Sequence, residues 1–224
     1  MFQSFSEAVS SGDLQAIITS TLGQIIIVVI ALVLLLLAVA LGGHQKKMSV
    51  KALTYSSIAI AISFVLSQFR LFSLPQGGSI TPFSMLFIIL IGYFFGVKTG
   101  VLAGVVYGLL QLAFGGWVMH PMQLLLDYPL AFGALGLSGV FANQKHGLVA
   151  GILVGCTGRF IFHFLSGIIF FASYAPETWN PFVYSLWYNF SYIGVEGVIT
   201  AIIVLVPSVA QALRSVKKSA INNI

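Results

Sequence analysis

A chain of 224 residues in which 58% are hydrophobic and only 7% charged, with a mean hydropathy of +1.03, lies outside the balance of a soluble domain and reads as an integral membrane protein. Its formal charge of +5 would suggest nucleic acid in a soluble protein. Here the basic residues stand at the ends of apolar runs, where they set topology, so no nucleic-acid partner is expected. The single cysteine, Cys156, excludes an intrachain disulfide and a cysteine-rich metal site.

The apolar runs are long and do not alternate, which argues for helices rather than a transmembrane barrel. At roughly 20 residues per span, the length fits seven helices with short connections in the lipid bilayer. Residues 1–49 form the first unit: a polar leader with Glu7 and Asp13, an apolar run from Leu22 to Leu41, and a basic loop carrying Lys46 and Lys47. The run lacks the basic start and short apolar core of a cleaved signal, so it reads as a retained helix.

Residues 50–224 form the second unit, a six-helix domain. Its first span, Ala52 to Leu71, holds small residues four apart, Ala52 with Ser56 and Ser57 with Ala61. That spacing allows close helix approach, and packing within the bundle is the commoner reason for any one such pair. The Pro- and Gly-containing stretch FSLPQGGSITP follows, then spans from Phe83 to Val97 and from Gly100 to about Gly115. Further spans are expected from Met122 to Phe141, from Gly147 to Phe171, and from Phe182 to Leu213.

Basic residues test the topology. Lys46, Lys47, Lys51, Lys98, Lys145, Arg214, Lys217 and Lys218 fall on one side and only Arg70 on the other. By the positive-inside rule the amino terminus is outside and the carboxyl terminus cytoplasmic.

Within these spans lie ionisable groups, which are costly in hydrocarbon unless they face a partner or a cavity. Arg159 and His163 are one turn apart in the sixth span. At about 1.5 Å per residue, Asp127 and His163 both sit on the order of 10 Å below the outer boundary. Gly167 lies one turn above His163, where an absent side chain leaves room for a ligand or a neighbouring helix, and Tyr184, Tyr188 and Asn189 start the last span. Arg159 has two candidate partners, Glu196 at comparable depth, slightly favoured, and Asp127. The plainer reading of such charges is a buried pair that holds helices together. Aromatic residues cluster near the outer face, and most such rings are interfacial anchors, with a few available to stack on a flat cation.

Four blocks, PQGGS (75–79), HPMQLLLDYPLAF (120–132), RFIFHFLSGIIFFASYAP (159–176) and VYSLWYN (183–189), closely resemble the thiamine-specific substrate-binding (S) component of energy-coupling factor (ECF) transporters. The likeness covers roughly Val50 to Leu213. It implies an all-α, six-helix S-component bundle with one extra N-terminal helix. It also implies capture of thiamine outside, for import driven by a transmembrane coupling protein and two cytoplasmic ATPases. No GxxxxGK[ST] loop is present, so this chain is not expected to hydrolyse nucleotide. The resemblance places Asp127 against the thiazolium cation with Tyr128 beside it, Arg159 at a basic position, and Phe171 at a stacking position. It assigns the remaining contacts to His163, Gly167, Tyr184 and Asn189. A lid corresponds to residues 72–82, and Ala52, Ser56, Ser57 and Ala61 fall where S-components meet the coupling protein. No metal or cofactor is implied. Residues 1–49 and Glu196 stand outside the likeness.

Two other functions fit the residues less well. One is carriage of another flat vitamin or a pyrimidine precursor. The other is an intramembrane hydrolase with His163 as base, for which Ser166 is the nearest nucleophile.

Overall fold

The protein is described as a computed structural model over residues 2–42 and 48–221. Lys46 and Lys47 therefore lie outside the described residues. Every predicted span is helical, and local chemistry sets the helix boundaries. The leader is not an irregular tail but two short helices, α1 (Phe2–Ser11) and α2 (Leu14–Thr19). Asp13 caps α2 by accepting from the Ala16 N–H, and Ser20 caps α3 (Thr21–Leu41) through the Gly23 N–H. Ser49 does the same for α4 (Val50–Gln68), the first span of the six-helix unit.

Two shorter passes follow, α5 (Ser84–Phe95) and α6 (Val97–Ala113), joined by Gly96 at φ 87°. The next pass, Pro121–Phe141, is irregular. It runs as α7 (Pro121–Leu125), a π-helical segment (Leu126–Leu130), α8 (Ala131–Ala134) and a 3₁₀ stretch (Leu135–Phe141). Pro129 has no N–H for the carbonyl four residues earlier, which accounts for a break in the α ladder there. The sixth pass is α9 (Gly147–Phe170), a continuous helix. The seventh, Pro181–Leu205, opens with Asn180 as cap and Pro181 in the first turn, then passes from α10 (Pro181–Asn189) through a second π segment (Phe190–Gly194) to α11 (Val195–Leu205).

Besides the end of α4 at Gln68 rather than Leu71, two boundaries differ from expectation. The last pass ends at Leu205, not Leu213, because Val206 turns extended and Pro207 starts a separate helix, α12 (Pro207–Ile221). This helix lies against α4 and α5. Lys217 seats it, with Nζ 3.6 Å from the Tyr93 ring centroid and donating to the Ala142 carbonyl at 2.6 Å. Partial burial draws the Lys217 ammonium below its ordinary pKa. The second difference is α5, which has 12 residues and falls short of a full span. It is the most enclosed pass, so its ends are served by protein rather than by the interface. Close approach of α5, α6 and the 3₁₀ stretch rests on glycine: a Cβ on Gly136 would come within 2.1 Å of the Gly100 carbonyl carbon.

Glu196 explains how so short a helix begins. The N-cap of α5 is Phe83, in a left-handed conformation at φ 62° and with no capping side chain. Glu196, 3% exposed, supplies the missing acceptor from the last pass. One carboxylate oxygen takes the Thr81 N–H (3.1 Å) and hydroxyl (2.9 Å), and the other takes the Met85 N–H (3.3 Å) and the Ser84 hydroxyl (3.4 Å). A negative charge at a helix start also complements the macrodipole. The segment before α5 forms a hairpin, β1 (Phe72–Ser73) antiparallel to β2 (Ser79–Ile80), with Phe72 opposite Ile80. Glu196 thus ties the hairpin's end and the third pass to the seventh.

Replacing Glu196 with Ala strands the buried Thr81 and Met85 N–H groups. A loss of about 3 kcal/mol of stability is expected, measured by denaturant unfolding in detergent. An unchanged midpoint would mean that those donors find other partners.

Candidate functional site

Beneath the hairpin is a cavity of about 450 Å³, bordered by all eight residues that the resemblance assigns to the ligand. The elements that bring them together are the two irregular passes and α9. The π segment at 126–130 carries Asp127 and Tyr128, α9 carries Arg159, His163 and Gly167 and ends at Phe171, and α10 carries Tyr184 and Asn189. The second π segment begins one residue after Asn189.

Asp127 is buried. One oxygen, Oδ2, accepts from Gln123 Nε2 at 2.6 Å. The other, Oδ1, lies 3.1 Å from His163 Nδ1 but has no hydrogen bond of good geometry. His163 in turn receives Arg159 Nε on its Nε2 at 3.5 Å. A neutral imidazole with its proton on Nδ1 accepts from Arg159 on Nε2 and turns its N–H edge toward the carboxylate without completing a hydrogen bond to Oδ1. The three groups therefore form a chain from arginine through imidazole to carboxylate.

This arrangement corrects the expected pairings of Arg159. It contacts neither Glu196, which is saturated by the start of α5, nor Asp127 directly. Its guanidinium lies over the Phe132 ring, 4.3 Å from the centroid. Asp127, expected to have no fixed partner if Arg159 paired with Glu196, has His163 beside it.

Gly167 serves the neighbouring helix. A Cβ there would lie 2.1 Å from Ser185 Oγ and 3.4 Å from Asn189 Nδ2. Ser185 donates to the Phe164 carbonyl at 2.8 Å. Asn189 donates to the Ser185 carbonyl (2.8 Å) and the His163 carbonyl (3.3 Å) and accepts from the Tyr192 hydroxyl (3.0 Å). The amide is thus held rigidly at the cavity wall. The hairpin is fastened to the same helix: Tyr188 donates to the Pro75 carbonyl and accepts from the Gly78 N–H at 3.0 Å, and Tyr184 reaches Gln76 at 3.5 Å.

The expected contact face of α4 divides. Ala52 and Ser56 are buried inside the chain, and Ser56 bonds back to the Ala52 carbonyl. They pack the bundle and present nothing to a partner. Ser57 and Ala61 are on the exposed face. Ser166, the candidate nucleophile of the hydrolase reading, is buried with its hydroxyl unpartnered, so it is not activated by His163.

Gln123 is a cavity residue that sequence reasoning missed. Almost fully buried, it donates to Asp127 and to the Trp117 carbonyl and accepts from the Met119 N–H. Its spacing, four residues before Asp127 on an apolar helix, was a readable signal. Phe132 and Tyr192 carried none, since aromatics within apolar runs are ordinary core.

Residues 53–215 match the family described as thiamine transporter protein. The chain is 35% identical over 177 residues to the thiamine transporter ThiT of Bacillus subtilis, covering 71% of this chain and 91% of that one. It is also 35% identical over 111 residues to ThiT of Lacticaseibacillus paracasei, covering 42% and 55% respectively. A solved structure of ThiT from Listeria monocytogenes superposes with a TM-score of 0.65 at 24% identity, over 72% of this chain and 96% of that one, and it shares the fold.

Because Gly167 touches Ser185 so closely, Gly167→Ala forces the last pass away from α9. The expected cost is about 1–3 kcal/mol, read as a lowered unfolding midpoint. Gly12→Ala supplies a contrast, since that position is sterically open and strained only by its φ of 70°.

Proposed function

The chain belongs to the thiamine transporter protein family, which its residues 53–215 match, and from that membership we infer that it is a thiamine-binding S-component of an ECF-type importer. It is a transporter subunit, not an enzyme. One observation supports the site most directly: the Asp127 oxygen Oδ1 is buried at the cavity wall with a lone pair not used by any hydrogen bond. The thiazolium ring of thiamine carries a permanent positive charge. Unlike an amine, it has no proton to lose on leaving water, so its desolvation must be offset by a fixed counter-charge. Asp127 is placed to supply it. Gln123 and His163 hold the carboxylate, and rings from Phe171, Tyr184 and Tyr188 offer faces to a flat cation. The aminopyrimidine is assigned to the polar groups of His163, Tyr184 and Asn189, with Arg159 as the basic group of the same site. Tyr128 and Gly167 complete the walls.

In this reading the cavity faces the exterior, the hairpin at 72–80 covers it, and the carboxyl terminus is cytoplasmic, in accord with the basic residues at the opposite end. Energy comes from two ATPases through a transmembrane coupling protein. Of the small residues on α4, Ser57 and Ala61 are exposed and available to that partner. Residues 50–224 act as the substrate-binding domain, with 1–49 added to it.

Purified protein titrated with thiamine is expected to bind without partner subunits. Asp127→Asn should weaken binding roughly tenfold to a hundredfold, the range of one charge-assisted contact, and Tyr184→Ala should weaken it too. A neutral pyrimidine analogue should be nearly indifferent to Asp127→Asn. Equal thiamine affinity in the two variants and the unsubstituted chain would sink the assignment.

A further inference from the structure

The match to the family begins at residue 53, so the N-terminal pass is left without a role. Its packing supplies one. Only one face of α3 is covered: Val28, Ala31 and Leu35 are 7%, 4% and 5% exposed, whereas Leu34 and Leu36 are 60% and 57% exposed. The covered face lies in one apolar cluster with Leu126 and Leu130 of the π segment and with Phe162, Ile168 and Ile169 of α9. Leu35 also reaches Gly133, its Cδ2 being 3.5 Å from where a Cβ would stand.

Adjacent residues on both site-bearing helices thus divide their duties. Asp127 faces the cavity and Leu126, its neighbour, joins the α3 cluster. His163 faces the cavity and Phe162, its neighbour, joins the same cluster. The 3.1 Å spacing between Asp127 and His163 is therefore set between two passes backed by the N-terminal segment, with α3 lying against the π segment and α2 against α9. A second contact comes from the leader: Gln15 Nε2 donates to the Ile168 carbonyl at 3.1 Å. That carbonyl is in the last turn of α9, where no intrahelical donor serves it. The leader caps, from a distant part of the chain, the helix that carries Arg159, His163 and Gly167.

We propose that the N-terminal segment is the rear wall of the ligand site, with Gln15, Val28, Ala31 and Leu35 acting as positioning residues that fix α9 against the Asp127 segment. None of the four borders the cavity. The part of this claim that concerns thiamine rests on the function inferred above.

Two double variants of the full chain test it, Val28→Ala with Leu35→Ala on the covered face and Leu34→Ala with Leu36→Ala on the exposed face. Amide hydrogen exchange of the ligand-free protein is read alongside thiamine titration. The covered-face pair should speed exchange in residues 126–131 and 162–171, and in α6 where it meets α3, while leaving α5 unchanged, and should weaken thiamine roughly tenfold through misplacement of the two helices. The exposed-face pair should do neither. Gln15→Glu, which keeps the shape and removes the donor, should speed exchange only near 168–171 and weaken binding to a smaller extent. It also carries the test should the covered-face pair fail to fold. A uniform rise in exchange across the bundle, equal effects of the two pairs, or no effect of Gln15→Glu would overturn the proposal. If the unsubstituted chain does not bind thiamine, the functional reading falls, and exchange alone decides the rear-wall role.

Discussion

A carboxylate inside an apolar bundle has to be satisfied by protein, and the two that this chain buries are satisfied to different degrees. Glu196 accepts four hydrogen bonds from Thr81, Ser84 and Met85. Asp127 accepts one good hydrogen bond, from Gln123, and keeps its second oxygen beside His163 without one. The saturated acid is structural, since nothing of its acceptor capacity remains for a ligand. The unsaturated acid has an energetic reason to attract a cation, because a buried acceptor without a partner costs free energy until one arrives. The rest of the architecture follows from this difference. Glu196 fixes the third pass and the hairpin to the seventh, and so forms a roofed cavity in which Asp127 can remain unsaturated.

The cavity is built where the helices are least regular. Both π segments, 126–130 and 190–194, occur at its level. A wide turn displaces the register of the residues before it relative to those after, so Asp127 and Asn189 turn inward while Leu126 and Phe190 do not share their surroundings. Regular helices at these two places would align fewer polar groups on one level. The continuous helix α9 supplies the fixed reference: its Gly167 brings the seventh pass close, and its His163 bridges to the fifth. Rigidity on α9 and irregularity on its neighbours together place side chains from three passes around one space.

The added N-terminal segment belongs to the same logic. A helix wall one layer thick has lipid behind it, and lipid holds no register. Packing α3 behind the fourth and fifth passes, with α2 against the sixth, replaces part of that lipid with Val28, Ala31 and Leu35, whose positions are fixed. Its other face remains as exposed as an ordinary lipid-facing span, which is why its sequence alone shows only a uniform apolar run.

Much of this was legible from residue order. Apolar run lengths and the placement of lysines defined seven helical passes and their alternation, because burial of backbone polar groups in lipid leaves no other choice. The motif blocks marked which residues border the cavity, and depth counting put Asp127 and His163 on one level. Other features depended on contacts between distant segments. Side-chain direction decided that Arg159 lies over Phe132 and reaches His163 rather than either acid, that Ala52 and Ser56 turn inward, and that Glu196 caps a helix over a hundred residues away in sequence. The break at Pro207 was visible as a proline, but hydropathy ran past it. Composition and spacing thus determined which segments enter the membrane and which residues lie at the same depth. The tertiary structure alone decided which of those residues touch, because contact depends on the rotation of each helix about its axis, and that rotation is set by packing among all the passes at once.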